Sequence, residues 1–301
     1  MEDNDMRILG SLNLKGGTGK TTSSWALGNV FSQYLNKKIL LVDIDPSANL
    51  TAFFRQAIEK GDDFVPNIKD CLEGSKTAEE VIRQFAFARA KGETLRNEEG
   101  EIVKQTKNTF YTEMMSPIEG ESIEYDGEPT RTCFIDLLPG SKQLGALSDI
   151  DEMTIANLLA PVKDNYDLII IDFPPEIIDV TVPGMFAVDG IIVPIEPSPD
   201  ALEGLTNILG IYDEINDAGH KVDIVGIFFT RAKLNETVQR ETVDEVNKMF
   251  EGQNMVIKSP IKQSSLTNKC RKYGLLPGIL DPGSSLTKDY LTVAKALLKR
   301  L

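Results

Sequence analysis

The sequence predicts an α/β fold: a doubly wound, mostly parallel sheet with helices on both faces and an inserted polar hairpin or loop region. Three observations lead there. Short continuous apolar runs alternate with amphipathic segments of helical period, as strands buried on both faces alternate with the helices that cover them. A glycine-rich loop stands between the first apolar run and the first helical segment. Two later apolar runs each end on an aspartate, and ligands gather at the carboxyl ends of strands in such sheets. The 301 residues, 41% apolar and 26% charged, can bury a sizeable core without cross-links.

Taken along the chain, buried strands are expected at Arg7–Leu14, Lys38–Ile44, Cys133–Leu138, Asp167–Asp172, Gly190–Ile195 and Asp223–Thr230. The first helix opens at Thr22 and runs to Leu35. A second covers 200–218, where Leu202, Leu205, Leu209, Tyr212 and Ile215 share one stripe that stops at Gly219. Further helices are expected over 236–250 and 284–300. Residues 91–131 break the rhythm. They are polar, acidic and punctuated by glycine, with brief alternation at Ile102–Val103 and Phe110–Tyr111, and read as a surface insertion. The expected organisation is one domain over residues 1–301 with that insertion inside it.

Composition excludes several classes. Cys71, Cys133 and Cys270 lie too far apart in sequence for a disulfide framework or a thiolate metal motif, and a single histidine, His220, excludes a site built on two imidazoles. The acidic N-terminus lacks a secretory apolar region, and no apolar run approaches the roughly 18 residues of a membrane helix; a cytoplasmic location is expected. The net charge of −14 is unevenly spread: residues 258–301 hold nine basic and two acidic residues, a charge of +7, which leaves −21 for residues 1–257. A basic end on an otherwise acidic chain suits contact with a polyanion.

The strongest chemical signal is the run from Asn13 to Thr22. In a strand–loop–helix context, Gly16, Gly17 and Gly19 let backbone N–H groups converge on an anion, and the positive end of the following helix adds to the field there. Lys20 is placed to reach phosphate oxygens and the Thr21 hydroxyl to meet Mg²⁺; Thr18 and Thr22 complete the loop. Leu14 stands where the ordinary G-x-x-x-x-G-K-[ST] pattern has its first glycine, and a second lysine, Lys15, opens the loop instead. Asp43 and Asp45 close the second apolar run, Asp172 closes a later one, and each aspartate taken singly also reads as a helix cap or loop residue.

These residues resemble the ParA/MinD group of deviant Walker-A P-loop ATPases, and within it the ParA partition ATPases. Lys15 to Thr21 is similar to the deviant Walker A, Asp43 to Pro46 to the Walker A′, and Asp172 to Pro175 to the Walker B. Weaker likeness extends through Pro194–Pro199, Phe229–Arg231 and Ser264–Pro277, so that nearly the whole chain outside 91–131 takes part. The resemblance implies ATP and Mg²⁺ as cofactors, with Lys20 and Thr21 on phosphate and metal, Asp43 and Asp172 supporting the magnesium shell, and Asp45 placing the attacking water. It implies that Lys15 reaches a partner's nucleotide in an ATP-dependent homodimer, and that Thr230, Arg231 and Pro260 lie near the adenine. Two departures stand out: Ser47 where the family often has glutamine, and Phe173 where a hydroxyl residue commonly follows the Walker B aspartate.

The functional expectation is a slow, partner-stimulated ATPase that dimerises on ATP and binds double-stranded DNA without sequence preference. With a ParB-like centromere-binding protein it segregates a plasmid or chromosome, as a cytoplasmic, nucleoid-associated protein. Lys258, Lys262, Lys269, Arg271 and Lys272 are the DNA candidates. The rival reading is a MinD-like membrane-associated or other cargo-positioning ATPase, whose sign would be a terminal amphipathic membrane helix. Leu286, Tyr290, Leu297 and Leu301 do form a stripe, but directly after a turn, where a final core-packing helix belongs.

Overall fold

The apolar runs pair side by side in the computed structural model, which describes residues 7–57, 64–90, 94–96, 102–105, 109–115 and 129–301. The elements follow in the order β1 (Ile8–Ser11), α1 (Lys20–Leu35), β2 (Ile39–Asp43), α2 (Asn49–Ala57), α3 (Ile68–Leu72), α4 (Ala78–Val81), β3 (Arg83–Ala90), β4 (Thr94–Arg96), β5 (Ile102–Gln105), β6 (Thr109–Met115) and β7 (Pro129–Leu138). Then come α5 (Thr154–Leu159), β8 (Leu168–Asp172), α6 (Thr181–Ala187), β9 (Gly190–Ile195), α7 (Ala201–Asp217), β10 (Asp223–Phe229), α8 (Thr237–Met249), β11 (Val256–Ile257), α9 (Leu266–Tyr273), α10 (Pro277–Leu280) and α11 (Ser285–Leu298). Among the described residues the main sheet runs β11-β10-β9-β1-β8-β2-β7-β3-β6, and β4 pairs with β5 apart from it.

From β11 to β7 every pairing is parallel; β3 is antiparallel to both β7 and β6. The expected doubly wound, mostly parallel sheet is therefore present. Its central strands are buried on both faces because successive side chains alternate between two cores. Ile169 and Ile171 of β8, with Leu40 and Val42 of β2, enter one core. Leu168 and Ile170, with Ile39 and Leu41, enter the other, beneath α1 and α11.

Helix α1 carries no clear apolar stripe in sequence, yet everything from Ser23 to Phe31 is buried. It sits centrally, with α2 on one side and the C-terminal helices α10 and α11 over it, so it has almost no solvent face. Leu286, Tyr290, Val293 and Leu297 of α11 are all buried in that core. The terminal stripe is thus spent inside the fold, and no described helix is long and apolar enough to cross a membrane.

Two boundaries differ instructively from the sequence reading. Strand β1 ends at Ser11, not Leu14, because the chain must begin turning into the glycine loop there. Strand β3 was not anticipated. Its Phe85 and Phe87 form an aromatic cluster with Phe54 of α2, at centroid distances of 4.7 and 5.9 Å, and burial of Ala86 and Ala88 on the other face hides the usual polar alternation. The strands β5 and β6 fall on the two alternating patches noted within 91–131.

Candidate functional site

Three neighbouring strand ends define the site. In register, Ser11 of β1 and Asp43 of β2 both pair with Asp172 of β8, so a serine and two carboxylates meet where the glycine loop leaves the sheet. The loop is fixed at its entry by Asn13, whose amide donates to the Pro194 carbonyl at 2.8 Å and whose Oδ1 accepts from Lys15 N–H at 2.9 Å. Gly17 and Gly19 adopt φ values of 81° and 86°, a left-handed backbone that side chains strain. Among the described residues, the backbone N–H groups from Gly16 to Thr22 donate to no protein acceptor. Together with the N-terminus of α1 they form a ready anion nest. It opens on a cavity of about 500 Å³ lined by Gly16, Gly17, Gly19, Lys20, Thr21 and Thr22.

Lys20 is nearly fully buried; its ammonium lies 3.3 Å from the Lys15 carbonyl. Burial lowers its pKa, and the nearby Asp172 and Asp45 carboxylates act in the opposite direction. Asp172 is fully buried. Its Oδ1 accepts from the Ser24 hydroxyl at 2.8 Å, while Oδ2 has no protein partner. Burial first, and Asp43 second, push its carboxyl up to about 8. A buried carboxylate oxygen without a donor, beside the Thr21 hydroxyl and the anion nest, suits a hard divalent cation such as Mg²⁺.

Asp43, expected from the sequence to support the magnesium shell, is tied into the fold. Both its oxygens are engaged inside the fold: Oδ2 accepts from the Thr51 N–H at 2.8 Å and hydroxyl at 2.6 Å, and Oδ1 from the Asp45 N–H at 3.3 Å. Thr51 in turn accepts from the Gly140 N–H at 2.7 Å. Asp43 therefore anchors the first turn of α2 and is absent from the cavity wall, with each of its oxygens already accepting from a donor of the fold. Burial raises its pKa to about 6. Asp45, by contrast, lines the cavity, with Oδ1 accepting from the Ser47 N–H at 2.8 Å. Ser47 also lines the cavity. Phe173 is wholly in the core, its ring packed where Gly10 and Gly184 leave room.

Lys15 points away from its own loop. Its ammonium bonds Asp200 at 2.8 Å and Ser198 at 3.2 Å, with the side chain 40% exposed. Thr230 and Arg231 line the cavity and also touch the loop, donating to the carbonyls of Thr18 and Gly17. Pro260 is not on the cavity wall; its neighbours Ile261 and Lys262 are. The sequence reading missed Phe53, Ser264 just before α9, and Thr267 and Asn268 on its inner face, which share the wall with Arg271, a residue named from the sequence for DNA alone. Thr267, Asn268 and Arg271 follow a helical i, i+1, i+4 spacing. That polar helical stripe was the available signal.

All five DNA candidates are exposed. Lys269, Arg271 and Lys272 sit on α9, Lys262 just before it, and Lys258 after the edge strand β11. Lys262 and Arg271 also line the cavity, and the Arg271 guanidinium lies 5.6 Å from the Phe53 ring centroid. The structure thus brings four of the five around one helix that borders the anion site.

Comparison with known proteins agrees with this geometry. A family profile described as an AAA domain matches residues 6–225. The chain is 27% identical over 291 residues to the sporulation initiation inhibitor protein Soj of Bacillus subtilis, covering 96% of this chain and 97% of that protein. It is 26% identical over 290 residues to the chromosome-partitioning ATPase Soj of Treponema pallidum, covering 96% of each. Among solved structures, a putative plasmid partition protein from Borrelia burgdorferi bound to AMPPNP superposes with a TM-score of 0.69 at 20% identity, covering 98% of this chain and all of that one.

Proposed function

This chain belongs to the ParA family of P-loop ATPases, and on that premise we propose that it is a partition ATPase that dimerises on ATP and binds DNA without sequence preference. A ParB-like centromere-binding protein is its stimulating partner and a plasmid or chromosome its cargo. The carrying observation is the unsatisfied N–H array from Gly16 to Thr22 facing the same cavity as the buried Lys20 and beside the partnerless Asp172 oxygen. Few ligands other than a polyphosphate with a divalent cation satisfy all of these groups together.

In this reading the loop amides and Lys20 bind the phosphates, and Thr21 with Asp172 holds the metal. Mg²⁺ when bound supplies charge neutralisation at the phosphate oxygens. Asp45, on the cavity wall, orients the attacking water. No residue there is an evident strong general base, so turnover rests on positioning and is slow until a partner improves it. Lys15 leaves Asp200 and Ser198 to reach the partner's nucleotide, which makes ATP part of the dimer interface. Helix α9 connects the site to DNA: its inner stripe borders the nucleotide cavity while Lys269 and Lys272 face solvent. A two-fold dimer doubles this basic patch, which is how a chain of net −14 holds a polyanion. Residues 1–301 act as one ATPase domain carrying the 91–131 insertion, in the cytoplasm and on the nucleoid.

The test is retention on random-sequence duplex DNA with ATP–Mg²⁺ and with ADP, at an ionic strength of about 0.15 M. Binding that needs ATP and weakens steeply with salt is expected. Equal retention with both nucleotides, or retention on anionic vesicles in place of DNA, overturns the partition reading.

A further inference from the structure

The tip of β10 carries Thr230 and Arg231, and both side chains reach back to the glycine loop. The Thr230 hydroxyl, on a residue only 2% exposed, donates to the Thr18 carbonyl at 2.6 Å. The Arg231 guanidinium donates to the Gly17 carbonyl at 3.0 Å and to Glu196 Oε2 at 3.1 Å. We infer that Thr230 and Arg231 are positioning residues for the phosphate nest: by holding two successive loop carbonyls they fix the direction of the Thr18 and Gly19 N–H groups. This inference rests on the nucleotide-site reading and adds the way in which that site is kept in shape.

The argument follows from peptide geometry. In a trans peptide the C=O and the next N–H point in opposite directions, and among the described residues only Val65–Pro66 is cis. Drawing the Gly17 and Thr18 carbonyls toward β10 therefore turns the Thr18 and Gly19 N–H groups away from it, and neither N–H has a protein acceptor. The loop needs such ties because its glycines have unusual backbone freedom, which ligand binding must otherwise freeze out.

Two local features make the arrangement possible. Consecutive side chains of an extended strand point to opposite faces, yet here both reach one loop. The alternation breaks at Arg231, whose φ of 52° is left-handed. That strained backbone is held by the Thr230 N–H on the Ile195 carbonyl at 2.8 Å and the Ala232 N–H on the Ile261 carbonyl at 3.0 Å. Gly19 also packs directly on Thr230: a Cβ there would lie 3.4 Å from the Thr230 hydroxyl. A Cβ at 19 would fit in van der Waals contact with Thr230, so the demand for glycine there comes from its left-handed φ of 86°.

The experiment compares Thr230→Val, which keeps shape and loses the donor, Thr230→Ser, which keeps the donor, and Arg231→Gln. Affinities for ATP and GTP are measured by calorimetry, and amide hydrogen exchange is followed over residues 16–20 of the nucleotide-free chain. Thr230→Val is expected to weaken both nucleotides on the order of tenfold, with an unchanged ATP-to-GTP ratio and faster loop exchange; Thr230→Ser restores both readouts. Arg231→Gln, at a half-exposed side chain, repeats the effect more weakly without threatening the fold. A changed ATP-to-GTP ratio assigns these residues to the base and overturns the inference, as does unaltered loop exchange in both Thr230→Val and Arg231→Gln. Failure of the unaltered chain to bind either nucleotide defeats the nucleotide-site reading itself.

Discussion

Phe173 follows Asp172 directly, where a hydroxyl residue would sit beside the metal, and the structure turns this departure into a measurable packing prediction. The ring is wholly buried. It occupies space left by two glycines: a Cβ on Gly184 would lie 2.8 and 2.9 Å from ring atoms, and one on Gly10 would lie 2.8 Å from the ring's far side. Phe173→Ser removes the ring from a site that cannot easily collapse, at a cost of about 3–5 kcal/mol. The new hydroxyl, if left without a partner, adds about 1–3 kcal/mol. At roughly 2–4 °C per kcal/mol, a combined cost of about 4–8 kcal/mol should lower Tm by about 8–32 °C. Gly184→Ala should cost about 1–3 kcal/mol by overpacking, and less in a Phe173→Leu background, because the two residues share one space. Thermal and urea unfolding supply these numbers, and calorimetry of Mg–ATP binding supplies the control, expected within about twofold of the parent where the variant is folded. If Phe173→Ser kept its stability, or changed magnesium-dependent affinity more than about tenfold, the packing explanation would be wrong and the position would belong to the metal site.

Three further outcomes follow from the proposed roles. Lys20→Ala removes a buried cation that makes charge-assisted bonds to phosphate, each worth about 1.5–3 kcal/mol; calorimetry should show a loss of at least about a hundredfold in ATP affinity, and near-parental binding would sink the site. Lys15→Ala should leave ATP affinity of the monomer close to normal yet abolish ATP-driven dimerisation in sedimentation experiments, because the side chain faces Asp200 and not its own loop; a normal ATP dimer refutes the role in trans. Asp45→Ala should bind ATP but accumulate the ATP-bound dimer, with turnover reduced on the order of a hundredfold; an unchanged hydrolysis rate removes Asp45 from the chemistry.

The phosphate loop was legible because its signal is local. Three glycines, a lysine and a threonine between an apolar run and a helical segment admit few other structures, since the backbone freedom and the anion-binding donors reside in the same ten residues. The central strands were legible for a similar reason: β2, β8, β9 and β10 are short runs dominated by apolar residues. Strand β3 was hard to read because burial on both faces erases the periodicity from which strands are recognised, whereas helix α1, buried almost all round, was legible from the glycine loop before it and not from an apolar stripe. The polar stripe of α9 was visible as residues but not as a wall, since its spacing takes on meaning only once the helix lies against the loop.

By itself the sequence determined six strands of the parallel sheet and four of its covering helices, the glycine loop with its anion-binding donors, and the carboxylates at two strand ends. Tertiary structure alone decided how those groups divide the work. Asp43 and Asp172 look equivalent as strand-terminal carboxylates, but Thr51 and the Asp45 N–H between them engage both Asp43 oxygens while Asp172 retains one without a partner. Lys15 and Lys20 look equivalent as loop lysines, but one is buried beside Asp172 and the other is drawn outward by Asp200. Thr230 and Arg231 come within reach of Thr18 and Gly17 across more than two hundred residues of chain. Each distinction depends on which donors the fold brings to a given oxygen, and such long-range pairing leaves no trace in local composition or spacing.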